Sequence, residues 1–321
     1  MNTSNSVLID DMMDKHYTTI YKGLAILLII LCHTAGSFGG GRFTLFTPLG
    51  GIGVAVFLLL SGYGLNESWN SHLEHLNGGT AWWRKRFIAV WIPYIIVQLI
   101  AYWPFQKFEA IPFILDVSMI KPLYHNGWYL QYLFLWYFIF YVVRRADLLD
   151  DYRMIIFTVV SLVLFFLLRE IKAEQSFSFI LGILLSERKV LHKKLFNIRF
   201  GLSSMLLGIF CLAIKQLPLI RSAPQILMHL VQLGIKLPIG FGLIILCWLV
   251  VRKRKRIGVA FEAVGIISFE LYLIHGYSLN VVPKNVGGLI LFVILTGVLS
   301  VVFWWLMKKT KTVWLKMFRV D

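Results

Sequence analysis

The sequence predicts an all-α, polytopic membrane protein in one domain, with about ten membrane-spanning helices and both termini cytoplasmic. Three observations predict it. The first is composition. Of 321 residues, 58% are apolar and 15% charged, with a mean hydropathy of +0.74; soluble domains run closer to half apolar and a quarter charged. The second is that apolar runs near twenty residues, such as Val286–Trp305, recur along the whole chain, each about the length a helix needs to cross a ~30 Å hydrocarbon core. The third is the placement of the basic residues.

In chain order the candidate spans lie near Tyr17–His33, Leu49–Asn66, Phe87–Trp103, Gly127–Val143, Met154–Leu168, Phe177–Leu185, Ile198–Ile214, Ile235–Val251, Val264–Asn280 and Val286–Met307. The sixth is short. Ile226–Leu233, before the eighth, is either a half-helix or an extension of that span, and Pro238 marks a kink. With a cytoplasmic N-terminus, 23 of the 32 basic residues fall in cytoplasmic segments. They include Arg84–Arg86, the run Arg252–Arg256 and the tail's Lys308, Lys309, Lys311, Lys316 and Arg319. The nine on the other side are Arg42, Lys107, Lys121, Arg169, Lys172, Lys215, Arg221, Lys236 and Lys284. Every inside segment exceeds its outside neighbours, as the positive-inside rule requires. Losing one span would invert every later loop.

The spans leave too little polar chain for a separate soluble domain, so residues 1–321 are expected to form one membrane domain. A polar tail of residues 1–16 and a basic tail of residues 308–321 are expected in the cytoplasm. The polar, acidic N-terminus does not have the form of a cleavable signal peptide. The net charge of +16 is accounted for by topology, and no nucleic-acid partner is expected. Cys32, Cys211 and Cys247 lie inside apolar runs at spacings unsuited to a disulfide framework or a metal site, so no metal is expected.

Lys22 and His33 bracket an apolar stretch of the first helix. Eleven steps bring them to nearly one azimuth and about 16 Å apart along the axis. Ionisable groups inside a span are costly and usually face a cavity. The alternative is that Lys22 snorkels and His33 is interfacial. Gly50-Gly51-Ile52-Gly53 opens the second helix and Ser61-Gly62-Tyr63-Gly64 closes it, a pattern suited either to ligand approach or to close helix packing. Arg84-Lys85-Arg86 precedes the third helix, where cations set topology or meet phosphates at the helix N-terminus. Glu67 falls at an interface. Glu270 falls inside a span and requires a partner.

In this order the pieces resemble the acyltransferase-3 family of membrane O-acyltransferases. The matching residues are the basic residue and His with ten residues between them (Lys22, His33), GGIGVAVFLLLSGY, WRKRFIAVWIPY, NGWYLQYLFLWYF and ISFELYLIHGY, whose His is His275. Two departures stand out. The family usually has Arg where this chain has Lys22, which trades a bidentate contact for a point charge. Some members carry Glu where this chain has Leu133, so the chain looks more like the shorter, polysaccharide-modifying branch, in which no appended hydrolase-like domain is expected.

The resemblance implies an O-acyltransferase, most simply an O-acetyltransferase, in a bacterial plasma membrane. Its donor would be cytoplasmic acetyl-CoA or another acyl-CoA, used as co-substrate with no bound cofactor. Its acceptor would be a hydroxyl of a cell-surface glycan or its lipid-linked precursor. Lys22, Arg84 and Arg86 are the candidate donor cations, with Ser61 and Tyr63 beside the donor's path. His33 is the candidate general base. His275 would orient it, donate to an oxyanion or bind the acceptor, or else be a packed histidine bonded to Tyr272 or Tyr277. Trp128 either stacks on the sugar or belongs to the aromatic belt. A transporter or flippase for a glycan or small anion is the alternative function; the lack of a visible internal repeat weighs against it.

Overall fold

The structure is a computed structural model that describes residues 12–39, 46–71, 78–105, 109–122, 126–146 and 151–317. The expected tail of residues 1–16 lies largely outside these, as do Arg42, Lys107 and Arg319. Every regular element among the described residues is helical. They are α1 (Lys15–Phe38), α2 (Pro48–Ser71), α3 (Gly78–Arg86), a π-helical turn (Phe87–Trp91), α4 (Ile92–Phe105), α5 (Ala110–Val117), α6 (Gly127–Arg145), α7 (Arg153–Leu167) and α8 (Glu170–Ala173). Next come α9 (Ser178–Glu187), α10 (Val190–Leu195), α11 (Ile198–Ile214), α12 (Pro218–Arg221), α13 (Gln225–Lys253), α14 (Lys255–Ile266), α15 (Ser268–Val281) and α16 (Val286–Met317).

Five helical segments are long and apolar enough to cross a membrane: Lys15–Phe38, Pro48–Asn70, Ala81–Tyr102, Gln225–Lys253 and Val286–Lys311. The pair α14 and α15 forms a sixth if taken together, but it bends by 68°. The chain is thus a multi-pass membrane protein, and each of the ten expected segments falls on helix. One expectation is corrected. Val264–Asn280 is not a continuous helix but the junction of α14 and α15, broken at Ile267. Ile226–Leu233 proves to be an extension of the eighth segment, with Pro238 inside α13.

Local chemistry explains several boundaries. The side chain of Asp14 accepts from Tyr17 N at 2.8 Å and caps α1; Asn197 caps α11 in the same way through Phe200 N. The π turn ends where Ile92 N bonds Phe87 O. The next residue, Pro93, has no N–H to continue an α ladder, so the chain widens one turn before it.

Small residues set two close helix crossings among the described residues. A Cβ at Gly62 would stand 2.1 Å from Phe179 O, and one at Gly182 would stand 1.9 Å from Leu59 O. Only hydrogen allows α2 and α9 to touch backbone to backbone. Gly23 and Gly265 do the same for α1 and α14, at 2.0 Å from Phe261 O and 1.9 Å from Thr19 O. The core between the helices is strongly aromatic, with Trp82, Trp136, Tyr21, Tyr94, Tyr132, Phe140, Phe157 and Phe179 fully buried.

Polar contacts define the two ends of the bundle. At one end Glu187, at the end of α9, accepts from Arg153 at 3.2 Å and faces Arg144 at 3.6 Å, while Lys189 pairs with Glu67 at 2.9 Å. His16 bonds Glu262 at 2.9 Å. The start of α1 and the end of α16 share this end, since Lys22, Lys308 and Lys311 line one cavity. At the other end lie His33, His275 and a polar turn, Glu174-Gln175-Ser176, that is buried. Irregular backbone is tolerated at such depth only where protein covers it or a cavity borders it.

Candidate active site

His33 sits on α1 and His275 on α15, 242 residues apart in sequence, and the bend after α14 turns α15 across the bundle to bring them together. His33 Nδ1 lies 2.8 Å from His275 Nε2. The ring centroids are 5.0 Å apart and the planes lie at 17°, so the two rings meet edge to edge. His275 is fully buried.

The partners fix the proton positions. His275 Nδ1 is 2.9 Å from Leu271 O; a carbonyl only accepts, so Nδ1 carries the hydrogen. Asn126 Nδ2 is 3.3 Å from His275 Nε2; an amide nitrogen only donates, so Nε2 accepts. His33 Nδ1 is therefore the donor to His275, and the basic lone pair of His33 is on Nε2. Tyr272 completes the arrangement by donating its hydroxyl to Asn126 O. Asn126, the residue before α6, opens the motif NGWYLQYLFLWYF but was not singled out, because nothing in the sequence shows that it meets His275.

His33 and Trp128 line one cavity of about 460 Å³, together with Asn126, Tyr272, Glu174, Lys215, Gln232 and Lys236. Lys236 and Glu174, both buried, form an ion pair across it. Gly51, in the glycine motif of α2, makes room for this pair: a Cβ there would stand 2.5 Å from Lys236 Cε. Gln175 donates to Gly51 O at 2.8 Å and ties the buried turn to α2. Burial first, and the neighbouring charge of Lys236 second, push the Lys215 ammonium, just beyond α11, below the ordinary lysine value.

Lys22 lies eleven residues from His33 on the same continuous helix, as expected, and lines a second cavity of about 440 Å³ at the opposite end. Ser61, Tyr129, Tyr137 and Glu270 line it too, with Lys308 and Lys311 from the end of α16. Glu270 thus shares a cavity with three lysines. The described lining does not include Tyr63, Arg84 or Arg86. Tyr63 is buried against His192, ring centroids 6.0 Å apart. Arg86 lies over the Trp82 ring at 4.4 Å, and Trp82 in turn packs on Tyr137. The tail lysines were read in the sequence only as topology signals; their place beside Lys22 follows from packing α16 against the rest of the bundle.

Between the cavities stands an aromatic partition. Tyr129 meets Tyr272 edge-to-face at 5.1 Å and Phe57 at 6.2 Å. On α1, Ile26 fills the space between the Lys22 and His33 levels and is fully buried.

A bent-helix membrane bundle with a histidine pair at a cavity near one end, His275 buried and His33 on the wall, and a lysine-lined cavity at the other end defines a class of intramembrane site. Residues 16–309 match a family described as an acyltransferase domain, and the chain belongs to that acyltransferase-3 family. No curated protein and no solved structure matches the chain. The family assignment makes the protein a membrane acyltransferase.

Proposed function

We propose that the protein transfers an acyl group, acetyl in the simplest case, from acyl-CoA to a hydroxyl of a cell-surface glycan or its lipid-linked precursor. The observation that carries this reading is the 2.8 Å contact of His33 Nδ1 with His275 Nε2, whose Nδ1 faces the Leu271 carbonyl. With Nδ1–H committed to His275, the lone pair on Nε2 serves as general base. It takes the acceptor hydroxyl's proton as the oxygen attacks the thioester carbonyl. The carbon–sulfur bond then breaks, and the leaving thiolate takes that proton from His33. His275 acts as a positioning residue. Its role resembles that of the orienting member of a catalytic triad, supplied here by a neutral imidazole.

The donor belongs at the Lys22 end. Lys22, Lys308 and Lys311 outnumber Glu270 around that cavity, and CoA is strongly anionic. Arg84 and Arg86 lie outside the described wall, Arg86 behind Trp82, and Ser61 faces the donor. The acceptor belongs at the His33 end, where Trp128 offers an aromatic face. The surplus of basic residues at the Lys22 end supports a cytoplasmic position for it, and the proposed setting is the plasma membrane of a bacterial cell, crossed ten times.

The test uses purified protein, wild type and His33→Ala, with radiolabelled acetyl-CoA and then succinyl-CoA, with and without glycan acceptors. Acceptor-dependent CoA release that vanishes in His33→Ala is expected. Failure of both proteins to bind or consume either donor would overturn the reading and bring a transport function forward.

A further inference from the structure

The cavity at the His33 end holds charges that neither base catalysis nor topology requires. Lys215 and Lys236 belong to the minority of basic residues outside the cation-rich segments, so orientation in the membrane does not account for them. A buried ion pair such as Lys236–Glu174 is a weak source of stability, because desolvation offsets the attraction. What it does is hold an ammonium at a fixed point of the wall. The space for that ammonium is provided at Gly51. Gln232, one helical turn before Lys236, lies on the same face of α13 and lines the same cavity. Lys215 reaches the wall from the end of α11 and forms no ion pair among the described residues. Two ammonium groups therefore face one carboxylate in a partly enclosed space, where a charge interaction is screened less than at an open surface.

We infer that the acceptor carries an anionic group, a carboxylate or a phosphate, seated on Lys215 with Gln232 and Lys236 so that a neighbouring hydroxyl lies at His33. The inference deepens the acyltransferase reading and rests on it for the role of His33, but the anion subsite can be measured without catalysis.

The experiment is calorimetric binding to the purified full-length protein in nanodiscs with no acyl-CoA present. The probes are a uronic-acid oligosaccharide, a phosphate-substituted oligosaccharide and their neutral counterpart. Wild type should bind one of the anionic probes about tenfold more tightly than the neutral one, with the preference falling as salt rises. The probe that binds identifies carboxylate or phosphate. Lys215→Gln should bring the ratio close to one, and Lys215→Arg should restore most of it. Lys215 is only half-buried, so these variants fold more readily than changes at Lys236. Equal binding of the three probes, absence of binding to all of them, or a preference unchanged in Lys215→Gln would overturn the inference. Acyl transfer to glycans without an anionic preference would overturn the subsite alone. An anionic preference in a protein that transfers no acyl group would overturn the acyltransferase reading and leave the subsite standing.

Discussion

Replacing His275 by Phe keeps a ring of similar volume in a fully buried position and removes the acceptor of the His33 Nδ1–H bond. Two losses follow. His33 loses the bond that fixes its ring, and it becomes able to carry its hydrogen on Nε2, the nitrogen the reaction needs basic. A buried group left without its hydrogen-bond partner costs about 1–3 kcal/mol. Where that stabilisation is lost from the transition state, in which His33 carries the proton, 1.36 kcal/mol per tenfold gives a fall in kcat of about 5- to 150-fold. His33→Ala removes the base altogether and should cost about 10²- to 10⁴-fold. Because His275 acts through His33, the double variant should be no slower than His33→Ala. The assay is steady-state CoA release at saturating acceptor for the four proteins, with thermal melting to confirm folding. Full activity in His275→Phe, or a double variant slowed by the product of the two single effects, would refute the argument.

Other predictions follow from the same geometry. Gly62→Ala forces a Cβ to within 2.1 Å of the Phe179 carbonyl, whereas Gly64→Ala, on the same helix, meets nothing within 4 Å. Melting should show the first destabilised by about 1–3 kcal/mol or more and the second unchanged or slightly stabilised. Glu187→Ala removes the carboxylate shared by Arg144 and Arg153 and should cost about 3 kcal/mol, since Arg144 is buried; an unchanged melting temperature would contradict this. Trp128→Ala should raise the acceptor KM about three- to tenfold with little change in the donor KM. Lys22→Met should do the opposite, raising the acyl-CoA KM about tenfold, with Lys22→Arg recovering most of it.

Much of the fold was legible because apolar runs and basic segments obey the bilayer's constraints, and each expected segment is helical. The break at Ile267 was not legible. No proline marks it, and it depends on α14 lying close along α1 through Gly23 and Gly265. Lys22 and His33 were legible through helical periodicity, and His275 through its motif. Asn126 was not, since its role depends on where α15 is placed. The Lys236–Glu174 pair was hidden for a related reason. Lys236 was read at the edge of the eighth segment and Glu174 in a loop; the first lies within α13 and the second in a buried turn. Arg84, Arg86 and Tyr63 show the reverse: position in a motif did not bring them to the cavity wall.

The central claim is that acyl groups pass from a donor at the Lys22 end to a hydroxyl at the His33 end. It is tested most directly in proteoliposomes of uniform orientation, with labelled acetyl-CoA confined to one side and glycan acceptor to the other. Label should reach the acceptor only when the donor is on the Lys22 side, and should fail to do so with His33→Ala. Transfer only when both substrates share a side, or transfer that survives the loss of His33, would contradict the account.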